Sequence, residues 1–164
     1  METNTLNFSN LQIALNSFIE DFINTYKGLL IRDNKKASGN LISSLKPITI
    51  QFKNNKFEAD ISIASYWKYV EYGRRPGKFP PVNKILDWIW IKIKPVIPRP
   101  MNGLKPPTEP QLAFLIARKI ARDGIKAGNQ FKEALDMTWN RHYNDISNAI
   151  TEDLNQAIDL VTLL

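Results

Sequence analysis

The sequence predicts an α+β protein in which long helices pack on a small antiparallel sheet and the C-terminus is an extended helix. Near both ends of the chain, apolar residues recur at helical spacing. Between about residues 47 and 64, apolar and polar residues alternate on both sides of Asn54–Asn55, which is typical of a β-hairpin. A length of 164 residues and a hydrophobic share of 43% suit one domain with a buried core.

The first predicted helix runs from Ser9 to about Ile31. Ser9-x-x-Gln12 has the spacing of a capping box, and Phe8 is placed to pack on Ile13 as a hydrophobic staple. We expect one face of this helix to be buried in the core. The apolar residues of that face are Leu11, Leu15, Phe18, Ile19, Phe22, Tyr26, Leu29 and Leu30.

The predicted hairpin follows a short helix that begins after Ser38 and is stopped by Pro47. Each strand has one apolar and one polar face, so the hairpin should lie over helices and leave its edges open to a neighbouring subunit. The apolar residues are Ile48, Ile50, Phe52, Phe57, Ala59, Ile61 and Ile63. Gly39 beside the cap does not indicate a phosphate loop, because the Lys-Ser/Thr ending of that motif is missing.

The stretch from Ser65 to Pro81, SYWKYVEYGRRPGKFPP, combines aromatic and cationic residues. Its first half predicts a short helix that ends at Gly73, since glycine reaches the left-handed conformation at little cost. The following loop, with Arg74, Arg75 and Lys78, is too polar to be buried. We expect an exposed basic loop mounted on an aromatic anchor; the alternative is an ordinary helix–turn with a solvated loop.

Two helices flank a proline-rich segment. The first starts at Pro80–Pro81 and carries Trp88 and Trp90, which could stack on nucleic-acid bases but more often serve packing. Six of the ten prolines then fall between Pro95 and Pro110, which predicts an extended, semi-rigid arm that contacts a partner. The second helix begins at the capping box Thr108-x-x-Gln111 and ends near Gly124.

From Phe131 to the C-terminus the pattern is helical again. It fits one helix of about thirty residues or two helices joined near residues 140–144. Its apolar side suits a contact with another subunit and equally suits packing on the first helix. That side comprises Leu135, Trp139, Tyr143, Ile146, Ile150, Leu154, Ala157, Ile158, Val161 and Leu164.

The net charge of +6 is unevenly distributed. Residues 68–126 carry thirteen Lys and Arg against four Asp and Glu, whereas residues 127–164 carry two against six. A basic middle and an acidic end indicate either a polyanion-binding surface or a molecule whose oppositely charged parts attract other copies.

Few residues indicate catalysis, a metal site or a cofactor. The chain has no cysteine, and its one histidine, His142, has Asp145 nearby but no motif that marks a serine nucleophile. Glu58 and Asp60 share one face of a strand, although a metal-dependent hydrolase usually needs further acids. No signal peptide or membrane-spanning stretch is evident. We expect a non-enzyme without cofactors or metals.

Four segments, taken in order, resemble the neck proteins of tailed bacteriophages, the head–tail joining and tail-completion group. The resemblance covers about residues 37–136, with the proline arm at 95–110 and the helical extension at 131–164 as departures from the family pattern. The segments are Ser38-Gly39-Asn40-Leu41-x-x-Ser44-Leu45, Tyr66-x-x-Tyr69-Val70-Glu71-Tyr72-Gly73, Ile85-x-x-Trp88-Ile89, and Ala113-Phe114-x-Ile116-Ala117-Arg118-Lys119-Ile120 continuing to Gly124-Ile125 and Phe131.

The resemblance implies a structural virion protein, made in the bacterial host cytoplasm, that forms a ring in the head-to-tail connector. Its partners would be copies of itself and portal, adaptor or tail proteins around the DNA channel. It implies no catalytic, cofactor-binding or metal-binding residues. We expect the contacts between subunits to involve Tyr66, Trp67, Tyr69, Glu71, Arg74, Arg75, Lys78, Arg99 and Lys105.

The main alternative is a basic module that binds nucleic acid through Arg74, Arg75, Lys78 and the nearby tryptophans. Steep, log-linear weakening of binding with salt would distinguish it from a ring subunit. A hydrolase built on Glu58 and Asp60 is a weaker third hypothesis.

Overall fold

The computed structural model describes residues 8–35, 39–53, 56–93 and 107–162, and within them it is mostly helical with one two-stranded antiparallel sheet. The predicted α+β class is therefore confirmed. Arg99, Lys105, most of the proline arm and the Asn54–Asn55 turn lie outside the described residues. The elements are α1 (Ser9–Arg32), α2 (Asn40–Ser44), β1 (Lys46–Lys53), β2 (Lys56–Ser62), α3 (Trp67–Tyr72), α4 (Val82–Trp88) continued by a π-helical turn (Ile89–Ile93), α5 (Glu109–Asp123) and α6 (Gln130–Thr162).

The chain forms two compact units, each assembled from separate stretches of sequence. Unit 1 comprises Met1–Leu29, Leu45–Ser62 and Gln130–Leu164, and so contains most of α1, the hairpin and α6. Unit 2 comprises Leu30–Ser44 and Ile63–Asn129, with α2 to α5. The helical extension that the sequence predicts at 131–164 lies in α6, which belongs to the same unit as most of α1.

Aromatic packing joins α1 and α6 within unit 1. Phe22 and Tyr26, both buried on α1, contact the ring of Phe131 edge-on at centroid distances of 5.0 and 5.5 Å. The hairpin is antiparallel and contains an irregularity between Pro47 and Thr49 that shifts its register. Ile50 is buried, as its alternating pattern predicted, because it lies on the apolar face of the sheet.

The N-terminus of α1 is capped by a residue far away in the sequence. The carboxylate of Asp153 on α6 accepts hydrogen bonds from the backbone N–H groups of Asn10 (3.1 Å) and Leu11 (2.8 Å). Free N–H groups and the helix dipole both favour an anion at this position. The predicted staple is wrong: Ile13 is exposed, and Phe8 packs edge-on against Phe57 of β2.

α6 is one continuous helix, but it buries a different face from the one that apolar spacing predicted. The buried side chains are mostly small or polar: Gln130, Ala134, Thr138, Ile146, Ala149 and Asp153, and of these Ile146 belongs to the predicted apolar side. The side of α6 that meets α1 combines both kinds of residue: Ile146 and Ala149 pack with Leu11, and Trp139 and His142 contact the ring of Phe18. Most of the predicted apolar side remains exposed.

The core of unit 2 is a close pair of helices. Ile85 and Ile89 pack against Ala113 and Ala117 of α5, with the neighbouring apolar residues of the predicted stripes around them. The capping box at the start of α5 is confirmed, since the N–H of Thr108 donates to the side chain of Gln111 at 2.9 Å. This helix pair positions the basic loop and the groove of unit 2 described next.

Candidate interaction surfaces

The basic loop after α3 is fastened to the end of α5 by a short antiparallel bridge. The N–H of Arg74 donates to the carbonyl of Ile125 at 2.9 Å, and the N–H of Ile125 donates to the carbonyl of Arg74 at 2.8 Å. A third bond runs from the N–H of Gly77 to the carbonyl of Ala121 at 2.8 Å. The base of the loop is therefore fixed by backbone hydrogen bonds within unit 2.

Two glycines allow this bridge to form. Gly73 ends α3 with φ 68° and ψ −156°, and Gly124 ends α5 with φ 76° and ψ −163°. This region of backbone space is essentially restricted to glycine. A Cβ at Gly73 would collide with the carbonyl oxygen of Ile125, and one at Gly124 with that of Arg74. The sequence correctly predicted both helix ends, but not that the two glycines lie on opposite sides of one bridge.

The cations of this region have different roles. The guanidinium of Arg74 donates to the carbonyl of Lys78 at 2.7 Å, so this arginine holds the loop in shape. Arg122 at the end of α5 hydrogen-bonds Asp123 at 2.6 Å, which lowers the pKa of the Asp123 carboxyl and partly neutralises the arginine. Arg75 and Lys78 are exposed and are the loop cations best placed to contact a partner.

The predicted aromatic anchor on α3 is wrong, because the helix exposes its tyrosines and buries Glu71. Tyr69 is 64% exposed and Tyr66 and Tyr72 are also exposed, whereas the side chain of Glu71 is only 2% exposed. The backbone carbonyl of Glu71 accepts hydrogen bonds from the N–H groups of Gly128 and Asn129, which draws this side of the helix inward. Glu71 is therefore corrected from an expected subunit contact to an interior residue of unit 2. Trp67 is half-buried.

A groove of about 510 Å³ lies beside the bridge, within unit 2. Ile85, Ile116 and Ile120 contribute apolar surface from α4 and α5, and Trp88 and Ile125 are partly exposed along it. Lys35, Arg74 and Lys84 also line it, and none of its described lining residues is acidic. The groove can therefore accept apolar side chains of a partner that also presents negatively charged groups.

The exposed side of α6 presents a second apolar surface, this time in unit 1. Large apolar side chains follow each other along the helix at intervals of four residues, interrupted once between residues 143 and 150. We call this surface the α6 stripe. It comprises Leu135, Trp139, Tyr143, Ile150, Leu154 and Ile158, each of which is 39–62% exposed.

His142 takes part in a polar contact between α6 and α1. Its Nε2 lies 3.0 Å from a carboxylate oxygen of Asp21, and Arg141 bonds both Asp21 (3.2 Å) and Thr25 (2.7 Å). These bonds hold the two helices of unit 1 together. We therefore interpret His142 as a structural residue.

The third sequence hypothesis gains no support from the structure. Glu58 and Asp60 are exposed on β2, and the described part of the chain holds no group of three or more His, Cys, Asp or Glu side chains that could bind a metal ion. Among the described helices, none combines the length and the hydropathy that a membrane span requires.

Sequence reasoning found the basic loop and missed the groove and the orientation of α6. The signal for α6 was available in hindsight: Ala134, Thr138 and Ala149 form a face of small side chains opposite bulky ones. Comparison with known proteins adds no relative, since no family model, curated protein or solved structure matches the chain.

Proposed function

We propose that this protein is a ring-forming structural subunit of the head-to-tail connector of a tailed bacteriophage. It would bind copies of itself and portal, adaptor or tail proteins around the DNA channel, without catalysing a reaction. The resemblance of residues 37–136 to neck proteins suggests this role. The observation that carries the proposal is the exposed α6 stripe.

Each of the six side chains is 39–62% exposed, although Trp139 also packs edge-on against Phe18 of α1, and the fold of a monomer does not require this apolar surface to face water. Contiguous exposed apolar surface of this kind usually marks a protein–protein contact. Leu154 is 47% exposed and Ile158 is 62% exposed, although both lie on a long regular helix that could have carried polar residues there. The stripe is therefore explained by burial against another protein chain.

The distribution of charge supports a head-to-tail contact. Unit 2 contains the basic middle of the sequence, while α6 carries most of the acidic end. A ring requires a heterologous interface, in which two different surfaces of the subunit meet and the rotation closes. Opposite charges on two different surfaces favour this arrangement over the pairing of like surfaces.

Assembly is the property that tests this function. We expect the mass of the purified protein, measured by light scattering or native mass spectrometry, to correspond to a closed ring alone or after addition of a portal protein. A protein that stays monomeric under both conditions would contradict the proposal. Turnover of a small molecule by the isolated chain would contradict the non-enzymatic part of it.

Charge reversal in the basic loop should weaken assembly without unfolding the subunit. The double variant Arg75→Glu and Lys78→Glu changes exposed side chains, whereas Arg74 must stay because it holds the loop. Each reversal replaces attraction by repulsion across the interface. We therefore expect the protein concentration at which half of the rings are dissociated to rise about tenfold or more. Light scattering at a series of concentrations measures this.

The matched control is the variant Arg118→Glu and Lys119→Glu, which makes the same charge change on the exposed side of α5. It should assemble like the unmodified protein, and circular dichroism should show both variants folded. If the loop variant assembled as well as the unmodified protein, Arg75 and Lys78 would not belong to the interface.

A nucleic-acid-binding module remains the second candidate. The observation in its favour is that Trp88 and Trp90 are 37% and 50% exposed in a basic unit, where aromatic rings could stack on bases. Binding of single-stranded DNA whose affinity falls log-linearly with salt, together with loss of affinity on Trp90→Ala, would favour this function.

A further inference from the structure

The groove of unit 2 has an apolar lining of the size that a few side chains fill. Ile85 of α4 is buried, and Ile116 and Ile120, one turn apart on the same side of α5, are half-buried. About 150 Å³ of apolar cavity accommodates one benzene-sized group, so a groove of about 510 Å³ has room for about three apolar side chains. An occupant should therefore insert apolar side chains between α4 and α5.

The cations of the groove lie beside its apolar residues. Lys84 and Trp88 are four residues apart on α4 and so share one side of that helix. Arg74 is paired with Ile125 in the backbone bridge. Lys35 follows the end of α1 and is exposed. An apolar side chain bound in the groove would therefore have positive charges next to it.

These positive charges are available to a partner. The guanidinium of Arg74 donates to the backbone carbonyl of Lys78, a neutral acceptor, so this bond does not compensate its charge. The Nζ of Lys84 lies 3.9 Å from the carboxylate of Asp87, and the two side chains are 76% and 68% exposed. An exposed ion pair of this length contributes little, so an incoming carboxylate can replace Asp87 as the partner of Lys84.

We infer that the groove of unit 2 binds a segment of another protein that inserts about three apolar side chains and carries Asp or Glu residues beside them. Charge complementarity selects the acidic residues, and the aliphatic lining selects the apolar ones. This inference rests on the proposed function for the source of the segment, which would be another protein of the connector. The chemistry of binding follows from the groove itself.

Two other occupants match the groove less well. A second copy could offer the C-terminal half of its α6 stripe, but Asp145, Glu152 and Asp159 lie on the opposite side of that helix. Nucleic acid brings negative charge, but its bases stack on aromatic faces, and Trp88 is the one aromatic residue among the described lining residues. An acidic, apolar segment of a different protein satisfies both the charge and the lining.

A peptide library tests this chemistry without a known partner. Random peptides of about twelve residues, displayed on yeast cells, are sorted for binding to the full-length protein and then sequenced. We expect the bound peptides to be enriched in large apolar residues together with Asp and Glu. A selection that enriches no peptide, basic peptides, or acidic peptides without apolar residues overturns the inference.

Matched charge variants locate the site of the most enriched peptide. The variant Lys35→Glu with Lys84→Glu reverses two exposed charges of the groove, and Arg118→Glu with Lys119→Glu makes the same change on the exposed side of α5. Fluorescence anisotropy of the labelled peptide should show its dissociation constant rising about tenfold or more for the groove variant and less than about threefold for the control. Circular dichroism checks that both variants are folded.

A matched tryptophan pair tests the apolar contribution. Trp88 lines the groove and is 37% exposed, whereas Trp90 is 50% exposed and is not among the described lining residues. Trp88→Ala should weaken the peptide about fivefold or more, and Trp90→Ala should leave its affinity unchanged. If either groove variant binds the peptide as tightly as its control, the peptide binds elsewhere and the inference is overturned.

Light scattering of the same variants separates this result from the proposed function. If the variant Lys35→Glu with Lys84→Glu loses ring assembly in the absence of any other protein, the groove binds a second copy and only this inference fails. If the peptide binds the groove but the protein stays monomeric with and without a portal protein, the proposed function fails and the groove chemistry stands. Single-stranded DNA that displaces the peptide and requires the same lysines would assign the groove to nucleic acid and overturn the inference.

Discussion

Replacing Gly124 with alanine is expected to destabilise the protein by about 3 kcal/mol or more. The backbone at Gly124 has φ 76° and ψ −163°, a conformation that other residues avoid. Its new Cβ would also meet the backbone carbonyl of Arg74 and the ring of Pro76. Since the Arg74 carbonyl accepts the bridge hydrogen bond from Ile125, it cannot move away without breaking that bond.

Urea denaturation followed by circular dichroism measures this loss of stability. The matched control is Gly28→Ala, the same chemical change at an exposed position inside α1 with open space around the new Cβ. Alanine favours helix over glycine, so the control should stabilise by about 0.5–1 kcal/mol. If Gly124→Ala unfolds at the same urea concentration as the unmodified protein, the bridge does not have the geometry described.

Replacing Asp153 with alanine should destabilise unit 1 by about 2–4 kcal/mol. The Asp153 carboxylate is 2% exposed and accepts two backbone N–H bonds at the N-terminus of α1. Without it, the N–H groups of Asn10 and Leu11 lose their acceptor in a place that water reaches poorly. The positive end of the helix dipole also loses its counter-charge.

Amide hydrogen exchange locates this effect as well as measuring it. The Asp153→Ala substitution should raise the exchange rates of the first-turn amides of α1, relative to the unmodified protein, more than those of the rest of the helix. The neighbouring Glu152→Ala is the control, because Glu152 is an exposed acid on the same helix. We expect it to change stability by less than about 0.5 kcal/mol. If both substitutions lowered stability equally, the loss of a negative charge on α6, and not the loss of the cap of α1, would be responsible for the destabilisation.

The amino-acid sequence by itself determined the local elements. Alternation predicted the hairpin, Thr108-x-x-Gln111 predicted the start of α5, and Gly73 and Gly124 predicted two helix ends, all of which the structure contains. These features depend on residues within one turn or one strand of each other. Their physical causes, which are capping bonds, pleat alternation and allowed backbone angles, act at short range and can be read from neighbouring residues.

Only the tertiary structure decided which faces those elements bury. Spacing favoured one apolar side of α6, yet that helix buries Ala134, Thr138 and Ala149 outside that side and leaves Leu154 and Ile158 exposed. Likewise α3 buries Glu71, and α1 receives its cap from Asp153, more than 140 residues away. A helix with two usable faces has similar local energies for either orientation. Close packing and backbone hydrogen bonds between distant residues therefore make the choice.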